Sequence, residues 1–364
     1  MLYKFLFVLL ILGCIIIGGN LLIKDDPTGY DSEKYYTFED FKSVPKFDSH
    51  VHINTRETAY MEQAQKDNFR FLKLVDDRPF GLPMKDQQEI AIYHLREYSE
   101  LMTFATTFSV DGWDDPNWVE KTIADLKSSI SKGARAVKIW KNVGMDLRDK
   151  KDEFVMVNDS KLDVIMDFLS ENEIPVIGHN GEPRDCWLPL DEMTFSQGYY
   201  SSHPEYHMFL HPEYPSYEDQ INARDNMLAK HPDLKFVGAH LGSLEWNLEE
   251  LSKRLNKYPN MHVDLSRMSN LKLHTLRDRQ KTRDFFIKYQ DRLLYATDTS
   301  IGESMDSADL QKKIHTGWKN DWRFYTTDDK MTLGNFGEFR GLKLPREVID
   351  KIYLKNALRI LGIF

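Results

Sequence analysis

Two histidines separated by one residue, His50 and His52, are the first side chains in this sequence that could bind a metal ion. They lie in an apolar segment, 46–53, that reads as a β-strand. Because side chains alternate along a strand, we expect both imidazoles on one face, with Phe47 and Val51 on the other, against helices. Twelve histidines yield about 0.4 such pairs by chance, so the pair alone is weak evidence.

Three further candidate ligands stand where apolar segments end. His179 closes 174–179, His240 closes 234–240, and Asp298 follows 292–297. In an α/β barrel the carboxyl ends of all strands meet at one face, so we expect these side chains to lie together. Imidazoles and carboxylates suit Zn²⁺, with manganese, iron and cobalt as alternatives. The sequence predicts a divalent metal site that activates water, with Asp298 accepting its proton.

Lys138 lies inside the fourth predicted strand, where alternation turns it inward. An unpaired ammonium group is costly inside a barrel. Three roles therefore stay open, in this order: pairing with a carboxylate, contact with substrate, or carbamylation and bridging of two metal ions.

The segments that would position these residues alternate between short apolar runs and longer amphipathic ones. Eight strands separated by helices imply parallel pairing and predict a (β/α)8 TIM barrel. An open doubly wound sheet is the alternative, but no glycine-rich phosphate loop supports it. The predicted strands are 46–53, 69–75, 101–109, 134–140, 174–179, 234–240, 261–266 and 292–297. The predicted helices are 87–99, 117–131, 160–172, 217–230, 245–257, 278–290 and 346–361, the last on the barrel exterior.

The segment 183–216 is long for a loop between a strand and a helix. Its aromatic residues suit a lid over a substrate pocket, although a purely structural excursion is an equal alternative. His203, His207 and His211 are spaced as on one helix face, but Pro204 and Pro212 argue against a continuous helix there. Cys186 also lies in this segment, without a pattern that indicates catalysis.

The N-terminal segment differs from the rest of the chain. Residues 5–23 are almost entirely apolar and nearly long enough to cross a bilayer. They predict an anchor in 1–23, a polar linker in 24–44 and a catalytic domain in 45–364 placed outside the cytoplasm. A cleaved signal peptide and a lipoprotein site at Cys14 are the alternatives.

Composition limits the partners. The 364 residues carry a net charge of −9, so a basic surface for nucleic acid is not expected. We expect a small-molecule substrate and leave a homo-oligomer open.

Several short motifs, in this order, resemble the amidohydrolase superfamily, specifically the amidohydrolase-related branch that includes metal-dependent decarboxylases. The resemblance extends over about residues 45–364. It implies a metal ion held by His50, His52, His179 and Asp298. It also implies that His240 acts on the substrate or on water, or binds a second metal. Some dinuclear members use a lysine of the fourth strand, a role that Lys138 could fill here. The motifs are Phe47-Asp48-Ser49-His50-Val51-His52, Val176-Ile177-Gly178-His179, Phe236-Val237-Gly238-Ala239-His240, Tyr295-Ala296-Thr297-Asp298 and Asn356-Ala357-Leu358-Arg359.

These residues predict a metal-dependent hydrolase that cleaves a C–N or C–O bond in an amide, lactone or ester. The alternative is a cofactor-free decarboxylase, in which His240 protonates carbon. A third hypothesis is a non-catalytic binding protein outside the cytoplasm.

Overall fold

The structure is a computed structural model that describes residues 34–79, 81–302 and 306–363. Nine parallel strands form one sheet, in the order β8-β7-β6-β5-β4-β3-β2-β1-β9. The strands are β1 (Lys46–Ile53), β2 (Phe69–Leu74), β3 (Met102–Thr106), β4 (Ala134–Ile139), β5 (Val176–Gly178), β6 (Phe236–Gly238), β7 (Met261–Asp264), β8 (Leu293–Leu294) and β9 (Thr299–Ile301), and a separate antiparallel hairpin contains β10 (Lys330–Leu333) and β11 (Gly337–Arg340).

The sheet closes on itself through β8 and β9. Strand β8 pairs with β7, and β9 pairs with β1, with only 295–298 between them. Within that short connection, the Tyr295 carbonyl accepts a hydrogen bond from Ser49 N, and Asp298 N donates to the His50 carbonyl, each at 2.9 Å. The two short strands are therefore halves of an eighth barrel strand, and the predicted (β/α)8 barrel is confirmed.

Helices follow the strands and cover the barrel with their apolar faces. In one example, Asn247 caps a helix by accepting from two backbone N–H groups, and the buried residues Leu248, Leu251 and Leu255 recur at helical spacing. The helices are α1 (Ala59–Lys66), α2 (Met84–Glu97), α3 (Trp118–Ser131), α4 (Asn142–Met145), α5 (Ser160–Glu171), α6 (Gln197–Ser202), α7 (Tyr217–Lys230), α8 (Ala239–Gly242), α9 (Leu248–Lys257), α10 (Met268–Arg277), α11 (Arg279–Lys288), α12 (Ser307–Thr326), α13 (Arg346–Asp350) and α14 (Asn356–Leu361).

The barrel interior holds a small apolar cluster below the predicted site. Its members include Phe47, Ala105 and Ile177, and it is completed by Ile360 and Leu361 of α14. The C-terminal helix therefore packs on this inner cluster, and its predicted place on the exterior is corrected. A π-helical turn, Lys351–Lys355, joins α13 to α14.

Strand β1 departs from simple alternation. Phe47, predicted to face the helices, belongs to the inner cluster, whereas Val51 packs in the outer core as expected. The pairing of β1 with β2 shifts register between Asp48 and Val51. This irregularity explains how Phe47 and His50, which have opposite parity, both point into the barrel.

The segment 183–216 contains α6 and several short 3₁₀ turns between β5 and α7. As expected from Pro204, no continuous helix spans 203–211. His207 is buried and its Nε2 contacts the Leu188 carbonyl at 2.7 Å, while Cys186 Sγ contacts the Tyr206 carbonyl. His207 and Cys186 thus connect turns within the segment.

The prediction of a membrane-anchored protein with an extracytoplasmic catalytic domain must be corrected. No helix in the described part of the chain is both long and apolar enough to cross a membrane. The longest of them, α12, has 20 residues, but charged side chains such as Lys312, Lys313 and Arg323 interrupt it. The segment 5–23, on which the anchor prediction rested, lies outside the described residues.

Residues 34–44 pack against the barrel. Arg346 N donates to the Lys34 carbonyl at 3.0 Å, and Tyr36 Oη donates to Asp350 at 2.8 Å. Phe41 and Val44 are buried in the outer core. This part of the predicted linker therefore contributes to the packed structure.

Candidate metal and catalytic site

Three of the predicted ligands converge at the carboxyl end of the barrel. The distance between His50 Nε2 and His52 Nε2 is 3.2 Å, and Asp298 Oδ1 lies 3.2 Å from the first and 3.4 Å from the second. One ligand atom from each of the three residues lies within 4.8 Å of the others. Both imidazoles are buried, whereas Asp298 leaves 40% of its side chain exposed. The cluster is therefore open on the side of Asp298.

Carboxylates near the ends of two other strands contact the two imidazoles. The Nδ1 atom of His50 contacts Asp264 at 2.7 Å, and that of His52 contacts Asp76 at 3.1 Å. Arg78 pairs with the same oxygen of Asp76 at 2.9 Å. A histidine that donates its Nδ1–H to a carboxylate presents the lone pair of Nε2, which is the usual arrangement of a metal ligand.

His240 approaches the cluster from a left-handed turn after β6. Its φ is 56°, and its backbone N–H donates to Asp264 at 2.8 Å. The ring contacts Ser266 Oγ through Nδ1 at 2.7 Å, and its Nε2 lies 3.8 Å from Asp298 Oδ2. Because the ring centroid is only 5.2 Å from that of His50, His240 borders the same open space.

His179 lies next to His240, with ring centroids 4.5 Å apart. Its Nε2 is buried and has no hydrogen-bond partner in the described part of the chain, with Glu182 at 3.7 Å. Glu182 in turn forms a close ion pair with Lys141. His179 therefore offers a free ligand atom near the cluster, although it lies outside the tight group of three.

Lys138 projects into the barrel as predicted. Its side chain is buried, and Nζ has no hydrogen-bond partner among the residues described. Burial lowers the pKa of Lys138, while the negative charges of Asp76 and Asp264 oppose this effect. The lysine thus lies among carboxylates without a direct ion pair to any described one.

The charges of the cluster influence each other strongly. Burial lowers the pKa of His50, and the charge of Lys138 adds to the effect. Burial also acts against the charged form of His52, but the carboxylates of Asp76 and Asp298 outweigh it and raise the pKa. Burial would raise the pKa of Asp298, yet the neighbouring histidines hold it well below its ordinary value. Asp298 is therefore ionised and able to accept a proton or bind a cation.

His240 differs from these groups because burial dominates its titration. Burial, reinforced by the charge of Arg267, lowers its pKa to about 3, although Asp298 opposes the shift. The imidazole is therefore neutral at ordinary pH.

The mouth of the barrel combines aromatic and cationic side chains. One cavity is lined by residues that follow β4 and by the 183–216 segment, namely Trp140, Lys141, Met145, Tyr199, Tyr206 and Tyr214, together with the carboxylates of Asp146, Glu182 and Glu205. A second cavity is lined by Ser266, Arg267 and Thr297, together with Phe195 from 183–216. The Nε atom of Arg267 is buried without a hydrogen-bond partner in the described chain. The aromatic side chains would suit a flat small molecule, and Arg267 could hold an anionic group in the second cavity.

The residues present fit a divalent metal ion. Two Nε2 atoms and a carboxylate oxygen point at a common space, and these are ligand atoms that a divalent cation takes in proteins. Three protein ligands with an open side are typical of a catalytic zinc site, and the unpartnered Nε2 of His179 could add a fourth.

Sequence reasoning missed several residues that act on this site. Asp76 follows β2, and Asp264 ends β7, so the rule of polar residues at strand ends could have found both. Ser266 and Arg267 follow β7 in a loop, and single residues of these types carry no recognisable signal.

A parallel barrel with a histidine and aspartate cluster at the carboxyl ends of its strands defines the class of metal-dependent TIM-barrel enzymes. A family model described as amidohydrolase matches residues 111–363. The chain therefore belongs to the amidohydrolase family, whose enzymes bind a divalent metal. The match begins after β1, so His50 and His52 rest on the geometry described above.

Solved structures agree with this fold. The 2,6-dihydroxybenzoate decarboxylase from Rhizobium has a TM-score of 0.51 and 13% sequence identity, over 88% of this chain and 99% of that one. The dihydroxybenzoic acid decarboxylase from Polaromonas sp. JS666, with bound manganese and the inhibitor 2-nitroresorcinol, has the same TM-score and identity, over 88% and 97%. At such identity the likeness shows the fold alone. A comparison with curated proteins gives no match.

Proposed function

We propose that the protein is a metal-dependent hydrolase that cleaves a C–N or C–O bond of a small amide, lactone or ester. The convergence of His50 Nε2, His52 Nε2 and Asp298 Oδ1 on one open space carries this proposal. In it, these three residues and His179 hold one ion, and zinc is the metal that suits the ligand set. When bound, the ion supplies Lewis acidity and lowers the pKa of a water molecule.

The chain's own residues would move the proton. Asp298 is ionised and partly exposed, so it can accept a proton from an attacking water and return it to the leaving group. The neutral His240 faces Asp298 through Nε2 and can share that proton. The carboxylates of Asp76 and Asp264 favour the charged form of Lys138 and oppose the lowering of its pKa by burial, and the proposal requires neither carbamylation nor a second metal.

Metal analysis of purified protein tests the site. We expect about one metal ion per chain in the native protein and almost none after replacement of both His50 and His52 by alanine. His203→Ala is the matched control, because this histidine lies on the 183–216 segment and contacts the Tyr199 carbonyl. A full equivalent of metal in the double variant would refute the assigned ligands.

The second candidate is decarboxylation of a carboxylate substrate. The buried Nε of Arg267, which has no hydrogen-bond partner in the described chain, favours it, because this guanidinium could hold a carboxylate at the barrel mouth. Conversion of a substrate panel in ¹⁸O-labelled water separates the two reactions. Hydrolysis places one solvent oxygen in an organic product, whereas decarboxylation yields carbon dioxide and an organic product without solvent oxygen.

A further inference from the structure

Asp264, at the end of β7, contacts both the predicted metal ligand His50 and the neighbouring His240. Its carboxylate is almost fully buried. One oxygen, Oδ2, lies 2.7 Å from His50 Nδ1. The other, Oδ1, accepts from His240 N at 2.8 Å, from Ser266 N at 3.2 Å and from Ser266 Oγ at 2.7 Å. Ser266 Oγ also lies 2.7 Å from His240 Nδ1. These contacts form a continuous chain from His50 to His240.

The positions of the protons follow from this chain of contacts. Two backbone N–H groups already point at Asp264 Oδ1, so that oxygen is an acceptor, and Ser266 must donate its hydroxyl proton to it. A serine hydroxyl has a single proton. Toward His240, Ser266 Oγ can therefore only accept, and His240 must carry its proton on Nδ1.

This proton arrangement leaves the Nε2 lone pair of His240 free. That atom faces Asp298 across the open space at 3.8 Å. On the other side of the chain, Asp264 Oδ2 accepts from His50 Nδ1, so His50 also presents its Nε2 lone pair to the same space. Both imidazoles are thus set as acceptors by one carboxylate.

Asp264 also holds the backbone that carries His240. The chain is left-handed at His240 and Leu241, with φ values of 56° and 60°. Such a conformation is sterically unfavourable for residues other than glycine, so contacts must hold it in place. The hydrogen bond from His240 N to Asp264 stabilises the turn from which the ring projects.

We propose that Asp264 and Ser266 are positioning residues: Asp264 orients His50 directly and His240 through the Ser266 hydroxyl, and so selects the Nδ1–H tautomer of both imidazoles. This inference deepens the proposed function and rests on it for the role of His240. It assigns to Ser266 a part in catalysis that involves no contact with the reacting atoms.

The test is the tautomer of His240, read by ¹⁵N NMR of histidine-labelled, zinc-loaded protein, with the His240 signals assigned by their loss in His240→Asn. We expect the native protein to show a single tautomer with the proton on Nδ1. Ser266→Ala removes the acceptor of that proton, and we expect signals of the Nε2–H tautomer to appear. Ser266→Thr keeps a hydroxyl and should restore the native pattern.

Two results would overturn the proposal: a proton on Nε2 of His240 in the native protein, or an unchanged tautomer in Ser266→Ala. The native measurement alone decides the point if the alanine variant does not fold. Zinc content should stay at the native level in Ser266→Ala, because the metal ligands are untouched. With a substrate in hand, kcat should fall about 10–100-fold in Ser266→Ala, with KM nearly unchanged. The tautomer needs no turnover, so a failure of the proposed hydrolysis is distinguishable from a failure of this inference.

Discussion

The pKa values of individual buried carboxyl groups shift in different directions, according to the hydrogen-bond donors and charges around them. Asp264 and Asp76 each face a histidine, and these contacts outweigh the effect of burial and hold the pKa of each carboxyl well below its ordinary value. Glu245, at the carboxyl side of β6, accepts from Arg184 N through one oxygen, while the other is buried without a described partner. Burial therefore dominates, and the pKa of Glu245 is raised to about 7 although Arg267 opposes the shift.

This difference predicts a pH-dependent stability change at Glu245. In the unfolded chain the carboxyl ionises near its ordinary pKa of 4.5, whereas the folded protein holds the proton to about 7. The folded state binds more protons between these values, so the contribution to stability is full below pH 4.5 and is lost as pH rises to 7. Glu245→Gln removes this titration.

Between pH 5 and pH 8, we expect the free energy of unfolding of Glu245→Gln to rise by up to about 3 kcal/mol relative to that of the native protein. Denaturant unfolding of both metal-free proteins at several pH values measures the difference. A difference in unfolding free energy that stays constant over this range would contradict the assigned titration.

At the scale of the elements, the positions of the strand ends explain which site residues could be predicted from the sequence. Strand β1 matches its predicted bounds, 46–53, but β5 and β6 are much shorter than predicted. Pro175 has no N–H to pair, and His240 leaves its strand in a left-handed turn. The histidines and Asp298 were predictable because each ends an apolar run. The chain of contacts from Asp264 through Ser266 to His240 was not predictable, because the sequence position of Ser266 does not distinguish it from other loop serines.

Helix α12 and the hairpin β10–β11 were absent from the prediction. Leu310, Ile314 and Trp318 in α12 recur every four residues, so that helix carried a readable pattern. The hairpin has no comparable signal, because Phe339 is its only buried side chain. The hydrophobic period was therefore readable in the helices, including α12 after the eighth strand, but not in the hairpin.

Helix α5 offers a test of local backbone strain. Glu173 follows this helix with a φ of 55°, and its side chain is exposed. Glycine adopts this conformation without the steric cost that other residues meet. We expect Glu173→Gly to raise the free energy of unfolding by about 0.5–1 kcal/mol, despite loss of a long contact with Lys235.

Glu171→Gly provides the matched control, because Glu171 is the last residue of the same helix and is also exposed. The same substitution there should lower the free energy of unfolding by up to about 1 kcal/mol. Urea unfolding of both variants checks the pair. Destabilisation of similar size at both positions would show that the left-handed backbone at Glu173 is not strained.

At the scale of the whole molecule, the described residues pack around the barrel from Lys34 onward. The side chains of Phe41 and Val44 are buried in the outer core, and Tyr36 contacts Asp350 and the ring of Trp322. Residues 34–44 thus connect the start of the barrel to α12 and to the C-terminal helices.

Two truncations test this boundary. Removal of residues 1–23 should leave the midpoint of thermal unfolding and the metal content unchanged, because every described contact begins at Lys34. Removal of residues 1–44 deletes Phe41 and Val44 and exposes the apolar surface that they cover. The free energy of unfolding should then fall by about 3–6 kcal/mol. Calorimetry and metal analysis of both chains give the comparison. Loss of metal in the shorter truncation would show that 1–23 contributes to the fold.

The seam between β1 and the eighth strand joins the two ends of the barrel. Asp48 accepts from Thr297 across 249 positions of sequence, and the neighbouring residues His50, His52 and Asp298 form the candidate metal site. Such a long loop is slow and entropically costly to close. An ion bound by residues on both sides of the seam would favour the closed chain over any partly folded form. Metal uptake during refolding would then report the moment at which the first and last strands meet.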